Sequence, residues 1–244
     1  MEPSEYENIA RLEEKHWWYR GMAAISLSLL TTHVADRRPP LRILDAGCGP
    51  GGMLTRLTIL GNPIGIDFHP LALVHAKRRA PVARASVEQL PFASDVFGLV
   101  TSFDVLYHRA VVDDTAALRE FFRVLQPGGA VLIRVPALDS LRGAHDVVVH
   151  TQRRYTAADL AAKLRAAGFA VHRLTYANTL LFPLIYLRRK LGSASASAAS
   201  DVELPSPILN RAFELFLHLE NFLLSHVPFI SLPIGVSLFA LAIK

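Results

Sequence analysis

Cysteine is nearly missing from this chain. Cys48 is the sole example among 244 residues, so no internal disulfide can form and a reducing, cytoplasmic setting is expected. No His, Cys or Asp spacing resembles a metal site, and no serine stands in a nucleophile-elbow context. The opening residues Met1-Glu2-Pro3-Ser4-Glu5 lack the basic and apolar regions of a secretory signal. Charge is absent from Phe222 to Ile243, but Pro228, Pro233 and Gly235 break that stretch too often for a membrane-spanning helix. The net charge of +5 comes mainly from arginine, clustered at Arg37-Arg38, Lys77-Arg78-Arg79, Arg153-Arg154 and Arg188-Arg189-Lys190. These bases are not interleaved with exposed aromatics along one element, so nucleic acid is not an expected partner. Anionic small molecules or lipid headgroups suit the excess at least as well.

What is present is a glycine-rich turn behind a buried strand: Ile43-Leu44-Asp45-Ala46-Gly47-Cys48-Gly49-Pro50-Gly51-Gly52. Glycine lets the backbone take positive φ and lie against a ligand. A second acid follows about one βα unit later, in Gly65-Ile66-Asp67-Phe68, where a nucleoside-binding sheet bonds ribose hydroxyls. An adenosine-bearing cofactor is therefore expected. The glycine spacing fits both G-x-G-x-x-G and G-x-G-x-G and does not choose between cofactors. Asp45 discriminates better, because a carboxylate there repels a pyrophosphate but accepts hydrogen bonds from an amino-acid ammonium. The alternative for Asp45 is a strand-end acid that only caps the turn.

Apolar runs predict strands near 41–46, 62–67, 82–86, 97–103 and 129–135, with helices near 51–60, 70–79 and 114–125. Thr156 and Asp159 open a helix that Gly168 stops, and Phe169 to Thr175 follows as a sixth strand. A short helix over 4–15 and an apolar one over 21–32 precede the sheet. Between them stands His16-Trp17-Trp18-Tyr19-Arg20, whose two tryptophans must pack on something. After strand six come an apolar segment from Thr179 to Leu187, a Ser/Ala linker at 193–200, and a helix from Pro207 to Leu224 with a polar stripe at Arg211, Glu214, His218 and Asn221. Strand seven is expected at 235–243.

Four motifs in order, Leu44-Asp45-Ala46-Gly47-Cys48-Gly49-Pro50-Gly51, Gly65-Ile66-Asp67, Glu88-Gln89-Leu90-Pro91-Phe92 and Leu125-Gln126-Pro127-Gly128-Gly129, resemble the class I S-adenosylmethionine-dependent methyltransferases, in particular the small-molecule, UbiE-like subgroup. The resemblance covers roughly residues 41 to 136. It implies an α/β, Rossmann-like, seven-stranded and mostly parallel sheet with helices on both faces, an N-terminal helical lid and a helical insertion between strands six and seven. The corresponding division is a helical cap at 1–36, the cofactor-binding core at 37–178, an apolar insertion or lid at 179–233 with a linker at 192–204, and the last strand at 234–244. The cofactor implied is S-adenosyl-L-methionine, held by Asp45, Gly47, Cys48, Gly49, Gly51, Asp67, Phe68, Ser86, Val87, Phe103 and Arg20. Two departures stand out: Ser86 replaces the family's frequent adenine-binding acid, and Gly98 follows Phe97 where an acid is usual.

In this fold the segments after strands four and five face the reacting methyl group. They hold His108, the first candidate base, and the run containing His145, Asp146, His150, Arg153, Arg154 and Tyr155. Catalysis is therefore assigned to His108, His145, His150 and Tyr155, and substrate contact to Trp17, Tyr19, Arg153 and Arg154, with no metal. Because strand six ends at the cofactor edge, the insertion is expected to overhang the site. Packing on its own domain, a lid over a greasy substrate, peripheral contact with the inner face of a membrane through 179–228, and a homodimer face stay open. The acceptor implied is a small molecule, anionic, glycan- or lipid-linked, or a secondary metabolite. An NAD(P)-dependent oxidoreductase and a non-catalytic cofactor-binding module are the other readings.

Overall fold

A computed structural model describes residues 1–34, 40–191, 203–227 and 230–244, with the side chains of residues 34, 144, 145 and 191 outside the description. Arg37-Arg38, Pro228 and the Ser/Ala run of the expected linker lie outside the described residues. In chain order the elements are α1 (Pro3–Leu12), α2 (Trp17–Val34), β1 (Leu41–Ala46), α3 (Gly52–Leu57), β2 (Gly61–Asp67), α4 (Pro70–Ala76), β3 (Val82–Arg84), β4 (Phe97–Phe103), α5 (Asp114–Val124), β5 (Leu125–Pro136), α6 (Ala144–Val148), α7 (Ala157–Ala166), β6 (Ala170–Ala177), α8 (Phe182–Leu191), α9 (Pro207–His226) and β7 (Ser237–Ile243).

The seven strands form one sheet in the order β3-β2-β1-β4-β5-β7-β6. The β3-β2-β1-β4-β5 pairings are parallel, while β7 runs antiparallel to both β5 and β6. Strand order reverses at β1, which sits between β2 and β4, so a crevice opens beyond the carboxyl ends of β1 and β4.

Side chains alternate across the sheet, as a strand period of two requires. Val131, Ile133 and Val135 of β5 join Leu118 and Phe121 of α5 and Leu160 and Leu164 of α7 on one face. Ala130 and Leu132 join Met22, Ile25 and Leu30 of α2 with Leu217 and Leu224 of α9 on the other. At the α2–α9 crossing, a Cβ at Gly21 would collide with the Leu217 side chain, so glycine permits the close approach. Thr156 caps α7 as the sequence predicts, its hydroxyl accepting from Asp159 N at 3.2 Å.

The insertion divides its work differently from the expectation. Among the described residues of the insertion, only α8 comes to the crevice, through Arg189, whereas α9 covers the back of the sheet beside α2. Its polar stripe is also split: Glu214 is buried and Arg211 and His218 are exposed. Glu220, wholly buried, accepts from Asn178 N and Leu180 N, both at 2.7 Å, and so fastens α9 to the turn after β6. Glu220→Ala leaves the buried Asn178 N–H and the part-buried Leu180 N–H without that acceptor. A loss of about 3 kcal/mol, and a fall of about 6–12 °C in thermal midpoint, is expected by differential scanning calorimetry.

Candidate functional site

The crevice holds a cavity of about 580 Å³. Its floor is the loop after β1. Gly47 has φ +86°, and a Cβ there would strike Val105, so the chain can pass this close only as glycine. Gly49 (φ +53°) faces open space, and Gly51 (φ +97°) caps α3 without lining the cavity. Cys48 lines the wall, its thiol pushed up by burial.

Two carboxylates flank this loop. Asp45 is 2% exposed and accepts from the Thr101 hydroxyl at 2.8 Å; burial pushes its carboxyl up to about 7. Asp67 accepts from Gly49 N at 3.0 Å and His69 N at 2.8 Å, and so ties the loop after β1 to the loop after β2. Its carboxyl is also raised, chiefly by burial. Each Asp67 oxygen keeps a further lone pair for a ligand hydroxyl. Phe68 is 59% exposed beside it, over the Arg84 guanidinium at 5.6 Å; Ser86 and Val87 also line the cavity, and Phe103 lines it 5.2 Å from the Arg134 guanidinium.

The N-terminal helices form part of the lining. Tyr6 stacks on His69 at 4.4 Å. Glu13 accepts from Gly52 N at 3.0 Å and pairs with Arg79 at 2.6 Å, so α1 is bonded to the start of α3. Trp18 lies 4.9 Å from the Arg134 guanidinium, whose Nε donates to Asp104 at 2.8 Å, and Tyr19 joins the same wall.

At the other end, His108 and His150 face each other with ring centroids 5.7 Å apart. Met1 N lies 2.5 Å from His108 Nε2 and 2.8 Å from His150 Nδ1, and Glu2 is 2.8 Å from His150 Nε2. Burial first, then the Met1 ammonium, His150 and Arg109, pushes His108 down to about 4, leaving a neutral imidazole at pH 7. Arg154 grips Asp146 through two bonds of 2.9 and 3.1 Å, and Arg189 of α8 stands 4.0 Å from the same carboxylate.

Besides Gly51, four residues expected at the site do not line the cavity. Arg20 points away from the cavity to Glu214 at 2.9 Å, and Trp17 packs against Phe213 at 5.3 Å, so both anchor α9. Tyr155 donates to Asp114 Oδ2 at 2.8 Å and Leu106 O at 3.1 Å, and Arg153 donates to Val111 O and Val112 O. With Lys163 at 2.7 Å from Asp114, these two build a buried polar hub behind the wall. The His145 side chain lies outside the described residues. Sequence reading missed Glu13, Asp104, Arg134 and Arg189 as wall residues. Each is brought in by a distant partner, and Arg189 stood inside a basic cluster already singled out.

Residues 44–133 match the family model described as a methyltransferase domain. A probable S-adenosylmethionine-dependent methyltransferase of Mycolicibacterium smegmatis is 29% identical over 170 residues, covering 67% of this chain and 63% of that protein. The ubiquinone/menaquinone biosynthesis C-methyltransferase UbiE of Vibrio campbellii is 31% identical over 132 residues, covering 48% and 50%. The chain thus spans between half and two thirds of these relatives. Among solved structures, an S-adenosylmethionine-dependent methyltransferase of Thermotoga maritima, a possible histamine N-methyltransferase, shares the fold with a TM-score of 0.59 at 17% identity, over 99% of this chain and 95% of that one.

Asp45 gives a stability test. Its folded-state carboxyl lies near 7, above the unfolded value of 3.8, so the folded protein holds the extra proton between those pH values and stability falls as pH rises through that window. The deficit above pH 7 is on the order of 4 kcal/mol. Asp45→Asn keeps an acceptor for Thr101 and removes the buried charge. Its ligand-free form should melt higher than the parent at pH 8 and match it near pH 4.

Proposed function

We propose that this chain, whose residues 44–133 match a methyltransferase domain, is a class I S-adenosylmethionine-dependent methyltransferase that methylates a small-molecule acceptor bound between the glycine loop and the His108–His150 pair. One observation carries the reading: a single cavity is lined by Asp45 and Asp67 and also by the two histidines.

The residues present suit the cofactor. Asp45 is a desolvated carboxylate with a hydroxyl donor and, among the described residues, no cation in hydrogen-bond contact, a place for the ammonium of the methionine moiety. Asp67 has acceptor capacity left for ribose hydroxyls, and Ser86 and Val87 line the adenine end. When bound, S-adenosylmethionine supplies an electrophilic methyl on a sulfonium. The chain's own task is to orient the acceptor, exclude water and take up a proton. His108 stands at the cavity wall with Nδ1 accepting from Ala110 N at 3.0 Å and Nε2 against the Met1 amine, so an O–H or N–H acceptor takes the place of that amine before the imidazole receives its proton. Arg109 and Arg189 on the same wall favour an acceptor bearing negative charge, such as a phosphorylated or lipid-linked molecule.

Calorimetric titration with S-adenosylmethionine, S-adenosylhomocysteine and NAD tests the reading. Both sulfur nucleosides should bind, and binding of NAD alone would overturn it in favour of an oxidoreductase. Affinity for S-adenosylmethionine should fall about ten-fold per pH unit below 7 as Asp45 takes up its proton, and this slope should vanish in Asp45→Asn. Asp67→Ala should weaken cofactor binding about ten-fold. Once an acceptor is found, His108→Ala should lower kcat by about 10²–10⁴ with cofactor affinity unchanged.

A further inference from the structure

Helix α9 buries Leu217 and Leu224 against the sheet and leaves a second apolar face to solvent. Its two acids face inward: Glu214 is held by Arg20 and His218, and Glu220 by the backbone of the turn after β6. Facing solvent are Ile208, Leu215, Leu219 and Phe222, which with Ala212 follow the i, i+4, i+7, i+11, i+14 spacing of one helix face. Leu209 and Phe216 widen that stripe beyond a coiled-coil seam. On α8, Leu184, Tyr186 and Leu187 are also exposed, just before Arg188 and Lys190. The described acids of these two helices are buried, whereas Arg188, Lys190 and Arg211 are exposed.

We propose that the outward faces of α8 and α9 seat the protein on an anionic lipid surface, with the apolar stripe entering the acyl boundary and the three bases meeting headgroups. A broad apolar face rimmed by Lys and Arg, on a helix lying in the interface plane, is the chemistry of monotopic attachment. Among the described residues, no helix is long and apolar enough to cross a membrane. A second copy fits less well, because a two-fold contact over this face sets a cationic rim against itself. Arg189 of α8 lines the cavity, so the seated protein presents its acceptor pocket beside the bilayer.

The inference stands apart from the methyl-transfer reading: vesicles probe the surface and cofactor titration probes the cavity. The full chain is sedimented with phosphatidylcholine vesicles, with and without phosphatidylglycerol, and its size is followed by light scattering. It should pellet with the anionic vesicles and stay in solution with the neutral ones. Leu215→Glu/Leu219→Glu, at exposed positions, should abolish pelleting while cofactor affinity and melting temperature hold. Arg188→Gln/Lys190→Gln/Arg211→Gln should weaken vesicle binding about 100-fold. No pelleting with anionic vesicles, equal pelleting with neutral ones, or pelleting untouched by the Leu215/Leu219 variant would each overturn the proposal. A dimer that this variant splits would also overturn it and make a second copy the occupant.

Discussion

Asp45 closes β1 inside the sheet, where a carboxylate loses its water and gains one hydroxyl in return. The rest of the site is built around that deficit. Gly47 brings the backbone in without a side chain, Asp67 fixes the next turn through Gly49 N, and Trp18 helps keep the neighbouring Arg134 engaged with Asp104. Arg134 lies close enough to lower the Asp45 carboxyl somewhat but not to cancel its burial. A dry acid at a strand end is unfavourable to the empty fold and favourable to a fold that receives a cation, which is how stability and ligand affinity come to oppose each other at one residue.

Much of this was legible in the sequence because it is local. The glycine loop, Asp67 one unit later and the Thr156 cap depend on residues a few positions apart, and backbone geometry leaves them little choice. The strands were legible through their apolar runs, the last at 235–243 included, whereas its antiparallel direction was not. That Arg20, Trp17, Arg153 and Tyr155 lie off the cavity was not legible, for the opposite reason. Their partners, Glu214, Phe213 and Asp114, stand far away in sequence, and no periodicity ties an arginine at 20 to an acid at 214. Glu13 is the same case: its bond to Gly52 N exists only because α1 folds back over the loop.

Helix α9 shows the limit of reading amphipathicity alone. Its polar stripe and its apolar remainder were both visible, yet which side meets the sheet was settled by Glu220 and Glu214, which find their donors within the fold. With the acids satisfied inside, Ile208, Leu215, Phe216, Leu219 and Phe222 are left outside while Leu217 and Leu224 meet the sheet.

The position of β7 carries a kinetic consequence. Residues 237–243 lie between β5 and β6, and β6 touches the sheet through β7 alone. Nothing holds β6 in register until the chain has passed through both helices of the insertion and brought residues from a hundred positions downstream of β5 back against it. The parallel half, β1 to β5, pairs strands that are near in sequence and can assemble first. During synthesis the exposed edge of β5 therefore waits for the last strand, and loop closure over that distance, rather than any local step, sets the pace at which the sheet is completed.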